Sequence, residues 1–270
     1  MNSDERSQRG SASEEYDAKW STYVQSDTRR RIRREVYGDE YPVEAEPRSF
    51  VTRSELDRMA RELSVGSGDT FIDLGCGAGG PGLWMAAETG AAVVGVDVSD
   101  VGITSARTRA EELGLTDRAR FEVADVTSTG LEDRSLDAAM SVDTIWAIPD
   151  KVTLLRETAR ILKDEARFVF TNWDLERSPP GNLPPVNDHR PLLQQAGFEI
   201  ESYDIQPSED KRRAYYERAV AAESALLDEL GEEGTQKILY EPRGWLGLID
   251  GTNYFPYSRR IFVVARRRPR

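Results

Sequence analysis

Three carboxylates close three apolar runs in this chain, and each is suited to a different polar group of one ligand. The stretch Phe71-Ile72-Asp73-Leu74-Gly75-Cys76-Gly77-Ala78-Gly79-Gly80-Pro81-Gly82 reads as a buried strand, a tight turn and a helix start. The glycines let backbone approach a ligand closely, and Pro81 suits a first helical turn. Asp73, directly before the glycines, repels a diphosphate and attracts an ammonium group. Asp97 ends the run Ala91-Ala92-Val93-Val94-Gly95-Val96, where a carboxylate grips both hydroxyls of a ribose. Asp125 ends the run that starts at Arg120 and is suited to accept a hydrogen bond from an adenine amino group. The three together describe an adenine nucleoside that carries a cationic amine.

Gly75, Gly77 and Gly80 also satisfy the G-x-G-x-x-G pattern of NAD and FAD proteins, which makes an NAD(P)-dependent oxidoreductase a competing reading. The acidic end of the third strand and a late helical stretch fit that reading poorly. Taken together, Asp73 to Gly79, Asp97 and Asp125 resemble motifs I to III of the class I S-adenosylmethionine (SAM)-dependent methyltransferases, most strongly between Thr70 and Asp174. The resemblance implies SAM as cofactor. It implies contacts from Asp73, Gly75, Gly77, Gly79, Asp97, Val98, Asp125, Val126 and, on an N-terminal lid, Tyr16. Because the SAM methyl group is already activated, the protein must hold a nucleophile in line, exclude water and remove a proton where the acceptor needs it.

The acceptor is expected beyond the fourth and fifth strands, which end at Ser141-Val142-Asp143-Thr144-Ile145-Trp146 and Thr171-Asn172-Trp173-Asp174. Asp143 and Asp174 are candidate bases or cation-binding groups, and Trp146 and Trp173 are candidate walls. Strand-end carboxylates also cap turns, and tryptophans also fill cores. Trp245, Tyr254, Phe255 and Tyr257 are candidates for the same pocket from the other side. His189, the only histidine, is a candidate general base. Asp188 reads as the cap of the following helix, which would leave the His189 side chain toward solvent.

No Asn/Asp-Pro-Pro-Tyr motif follows the fourth strand, as it does in nucleic-acid amino-methylating enzymes; Ser178-Pro179-Pro180-Gly181 follows the wrong strand and lacks an aromatic. No His/Asp cluster suggests a metal, and none is expected. The continuation Gly79-Gly80-Pro81-Gly82 and the chain length are similar to small-molecule methyltransferases of bacterial specialised metabolism. That implies a natural-product acceptor, with C-, N- and O-methylation open. A SAM-binding protein of non-methylating role, a cyclase or sensor, shares these motifs, because they report binding and not turnover.

These residues need a frame to hold them, and the alternation of periods supplies it. Strands are expected at 70–76, 92–98, 119–125, 136–143, 166–172 and 198–205, with helices at 81–89, 100–113, 150–162 and 189–196. That rhythm requires an α/β, Rossmann-like, doubly wound and mostly parallel sheet, seven-stranded with an antiparallel last strand at Arg260–Ala265. Helices at 210–230 and 234–248 read as a cap inserted before that strand. The expected organisation is a disordered tail (1–15), a helical lid (16–48) with Tyr16, Trp20 and Tyr23 at helical spacing, a SAM-binding core (49–206), a cap (207–258) and the final strand with a basic tail (259–270). Residues 41–47 read as a linker.

The 270 residues are 39% hydrophobic, enough for one substantial core. A net charge of -12 disfavours nucleic acid and anionic membrane as partners, leaving a small-molecule substrate. The run Arg29-Arg30-Arg31-Ile32-Arg33-Arg34 then reads as a solvated helix face paired with local carboxylates, unless the substrate bears phosphate or carboxylate. Cys76, the single cysteine, cannot form an internal disulfide and reads as a small packing residue. No signal peptide or long apolar run is present, so a cytoplasmic location is expected. Oligomeric state stays open.

Overall fold

The computed structural model describes residues 13–14, 16–18, 21–22, 26–180 and 182–269. Trp20, Tyr23 and most of the expected tail lie outside them. A single seven-stranded sheet has the order β3-β2-β1-β4-β5-β7-β6. It comprises β1 Thr70–Leu74, β2 Ala92–Asp97, β3 Ala119–Val123, β4 Leu136–Val142, β5 Leu162–Leu175, β6 Phe198–Gln206 and β7 Ser258–Arg267. The first five run parallel, and β7 enters between β5 and β6, antiparallel to both. The central strands are buried on both faces, which is why they read as near-continuous apolar runs.

Helices cover both faces. They are α1 Asp27–Tyr37, α2 Arg53–Leu63, α3 Gly80–Thr89, α4 Asp100–Glu112, α5 Lys151–Ile161 and α6 Arg190–Gln195, then α7 Glu209–Ala221 and α8 Glu223–Trp245 between β6 and β7. Side-chain caps start four of them, α1 among these through Ser26. Thr52 and Glu55 form a capping box on α2, Ser99 caps α4 and Asp150 caps α5. Two apolar cores fill the two faces of the sheet, one around Phe71, Leu83 and Met140, the other around Ile72, Leu154 and Phe168. A third cluster, largely aromatic, joins Phe50 and Trp173 to Tyr215, Tyr216, Trp245 and Phe255 above the C-terminal strand ends. Among the described residues no helix is long and apolar enough to cross a membrane.

Several expectations are corrected. β5 begins at Leu162 rather than 166, because Leu162 pairs with Leu136 across a register shift. The 41–47 stretch is more than a linker: Ala45 is fully buried, and its carbonyl lies so close to Gly80 that a Cβ there would come within 1.8 Å of it. The basic run is only half solvated. Arg29 and Arg33 share the inward face of α1 with Ile32 at i, i+3, i+4 spacing and are 7% and 4% exposed, whereas Arg31 and Arg34 face Glu35 and Glu46 outside.

Candidate active site

The turn after β1 is held open by its own backbone. The N–H groups of Gly75 and Cys76 donate to the Val96 carbonyl at 2.8 and 3.1 Å. Gly75 has φ +73, and a Cβ there would sit 2.2 Å from the Thr144 methyl, so only glycine fits. The Gly77 and Ser99 N–H groups each donate 2.9 Å bonds to opposite oxygens of Asp97, fixing that carboxylate while leaving lone pairs for a diol. Beneath the loop Asp73 is 2% exposed, and its Oδ2 has no hydrogen-bond partner. Burial, with the Asp97 charge adding to it, pushes the Asp73 carboxyl up to about 7. Burial likewise raises Cys76, which stays a packed thiol. An orphaned buried carboxylate oxygen beside a glycine turn and a pinned carboxylate fits the amine and ribose of SAM.

A cavity of about 340 Å³ extends from this loop to the aromatic cluster. Tyr16, Asp73, Gly75, Asp97, Val98 and Val126 line its cofactor half. Tyr16 is brought there by a helical segment that Asp17 ties to the start of α4: its Oδ1 accepts from Ser99 Oγ at 2.5 Å and from the Val101 N–H at 3.2 Å. Three expected contact residues lie off the cavity lining. Gly77 and Gly79 do not line the cavity, and Gly79 instead lets the turn pack against Ala106 and Phe121. Asp125 lies off the cavity, its Oδ1 accepting from the Thr127 N–H and Oγ1, while the neighbouring Val126 side chain takes the lining position.

In the acceptor half, Trp146 and Trp173 both line the cavity. The Trp146 indole donates to the Asp143 carbonyl at 2.9 Å, and its backbone N–H donates to Asn172 Oδ1 at 2.9 Å. Asp143 lines the cavity too, but its carboxylate is taken. It accepts the Phe50 N–H at 2.9 Å and two 3.2 Å bonds from Arg260, whose guanidinium also binds Glu55. His189 and Asp174 are corrected as site residues. His189 is the N-cap residue of α6, 1% exposed and off the cavity, with Nδ1 2.8 Å from Asp174 Oδ1. Asn172 Nδ2 donates to its Nε2 at 3.1 Å, so the ring proton sits on Nδ1 facing Asp174. Tyr203 donates to the same carboxylate at 2.8 Å. The reason is spacing: an inward strand-end carboxylate and a helix-start histidine satisfy one another beneath the site. Of the four late aromatics only Trp245 lines the cavity.

Sequence reasoning missed Phe50, Arg212, Tyr215 and Tyr216 in this lining. For the last three a signal existed, since Arg212, Tyr215 and Tyr216 recur at i, i+3, i+4 on one face of α7.

A methyltransferase-domain family model matches residues 66–219. Methyltransferase GfsG of Streptomyces halstedii is 25% identical over 79% of this chain and 81% of its own length. The 27-O-demethylrifamycin SV methyltransferase of Amycolatopsis mediterranei is 32% identical over 54% of this chain, which spans 60% of that relative. Among solved structures, the [4+2]-cyclase SpnF superposes with a TM-score of 0.67 at 22% identity, covering 79% of each chain. A putative sarcosine dimethylglycine methyltransferase from Galdieria sulphuraria gives 0.66 at 16% identity, covering 80% of this chain and 84% of that one.

Proposed function

The chain belongs to the class I SAM-dependent methyltransferases, and we propose that within that family it methylates a small-molecule acceptor of specialised metabolism held in the aromatic half of the cavity. The observation that carries the reading is one continuous cavity lined by the Asp73 and Asp97 carboxylate residues on one side and by tryptophans on the other. Its relatives from natural-product producers support the acceptor class. Residues 16–48 and 207–258 would roof the site over the 49–206 core.

SAM supplies, when bound, an electrophilic methyl group on a positively charged sulfur. The protein's part is positional. Asp73 holds the cofactor's ammonium, Asp97 its ribose diol, and Val98 and Val126 flank the base. Trp146 and Trp173 bound the acceptor and keep water from the reacting atoms. With the Asp143 carboxylate committed to Arg260 and His189 sealed beneath the sheet end, neither serves as general base. Transfer therefore rests on alignment and an acceptor that is already nucleophilic.

The test is incubation with SAM and a panel of small-molecule acceptors, reading S-adenosylhomocysteine by mass spectrometry and the methylated position by NMR. Acceptor-dependent S-adenosylhomocysteine is expected. Tight SAM binding with no release across chemically diverse acceptors would instead favour the non-methylating reading.

A further inference from the structure

Arg33 and Arg212 are buried arginines that line the cavity and Arg260 is sealed behind it, and the fold treats Arg212 and Arg260 differently. Arg260, 1% exposed, has Asp143 and Glu55 against its guanidinium. Arg212, 2% exposed, has no carboxylate within ion-pair distance among the described residues. Its one hydrogen bond there runs from Nη2 to Ser258 Oγ at 2.5 Å, and Nε has no partner. Aromatic faces surround it instead, with Cζ 4.0 Å from the ring centre of Trp173, 4.3 Å from Trp245 and 4.7 Å from Phe255. Those faces offset part of the cost of desolvating the cation but supply no counter-charge. Removing an unpaired cation from water costs several kcal/mol. Burial accordingly pushes the guanidinium below its ordinary range. Arg212 lines the cavity, so the opening through which a counter-charge can reach it is the acceptor pocket.

We propose that the acceptor carries an oxyanion, a carboxylate or phosphate monoester on an aromatic or otherwise apolar body, and that Arg212 is the residue that pairs with it. This rests on the methyltransferase reading of the same cavity. The apolar body meets Trp146, Trp173 and Trp245, while the charge enters last and deepest, replacing water against the guanidinium. Of the ionisable groups that share this wall with Arg212, Lys237 is a cation, and Glu241 accepts the Tyr216 hydroxyl at 2.5 Å and raises the Arg212 affinity for its proton from a distance. It therefore disfavours a second negative charge near it. A neutral acceptor would leave the guanidinium buried and unmatched in the ternary complex.

The experiment uses the full chain saturated with S-adenosylhomocysteine and three probes of one shape: 1-naphthylacetate, 1-naphthyl phosphate and 1-naphthylacetamide. Binding is read by tryptophan fluorescence and calorimetry. At least one anion is expected to bind about tenfold tighter than the amide, as a charged hydrogen bond desolvated on one side requires. The phosphate-to-carboxylate ratio identifies which oxyanion is taken. Arg212→Gln should erase the preference for anion over amide while S-adenosylhomocysteine binds as before, and Arg212→Lys should restore part of it. Equal binding of all three probes in the wild type, or a preference that survives Arg212→Gln, overturns the proposal. If Arg212→Gln does not fold, Arg212→Lys decides: a weakened preference for anion over amide supports the proposal, and a preference equal to that of the wild type overturns it. Failure of S-adenosylhomocysteine to bind would sink the methyltransferase reading itself, a separate outcome.

Discussion

With Asp73 as the proposed partner of the cofactor's ammonium, cofactor capture becomes a proton-linked event. The Asp73 carboxyl, raised to about 7 chiefly by burial, is largely protonated at pH 6, yet it must be charged to hold an ammonium. Binding of S-adenosylhomocysteine at pH 6 should therefore release about one proton more in the wild type than in Asp73→Asn, and the difference should vanish at pH 8.5. Calorimetry in buffers of different ionisation enthalpy measures this. The same shift sets apo stability. Because the folded-state value lies above the unfolded value of 3.8, the folded chain binds the extra proton between them. Stability is full below about pH 4 and declines as pH rises to about 7, by roughly 4 kcal/mol. Thermal unfolding of apo Asp73→Asn should lack that decline, and cofactor should flatten it in the wild type. At this scale Asp73 and Asp97 were legible because each lies at a strand end within one local pattern. That Asp125 and Gly79 lie off the cavity lining was not legible, because their partners, Thr127 on one side and Ala106 with Phe121 on the other, depend on loop geometry that spacing does not encode.

Between elements, the clamp of Arg260 with Asp143 and Glu55 ties β7, the end of β4 and the first turn of α2 into one unit. Removing one carboxylate leaves the buried Arg260 cation with Glu55 alone, so Asp143→Asn should destabilise the chain by about 2 kcal/mol in urea unfolding. With a reactive acceptor in hand, its rate against pH should keep the wild-type shape; loss of a titrating limb would make Asp143 a base after all. Gly80→Ala should also destabilise, because the clash it creates is with the Ala45 backbone and neither side yields cheaply. The alternating strands and helices were readable from period alone, but between β6 and β7 only the presence of helices was: the expected 210–230 helix breaks at Ala222, and α8 runs from Glu223 through a kink at Gly231. The clamp was not, since its residues lie 205 and 117 positions apart and ordinary strand-end patterns concealed it. Arg29 and Arg33 misled for a related reason: composition argued for solvent, while their spacing with Ile32 put them inside.

Across the whole molecule, the roof of the cavity comes from both flanks of the core. Tyr16 arrives from before β1, and Arg212 and Trp245 arrive from between β6 and β7. Asp17 anchors the first flank to α4 with a contact equivalent to a helix cap, worth about 1 kcal/mol. Asp17→Ala should therefore weaken S-adenosylhomocysteine binding by about fivefold and speed proteolytic cleavage ahead of Asp27 in the bound state.

The two flanks also meet each other, where Glu229 of α8 accepts from the Ser26 hydroxyl at 2.9 Å and the Thr28 N–H at 3.2 Å at the start of α1. Anyone transplanting acceptor preference between relatives by exchanging only the late insertion would sever that seam and inherit a mismatched ceiling. A working chimera has to carry the opening fifth of the chain along with the graft, as a matched pair.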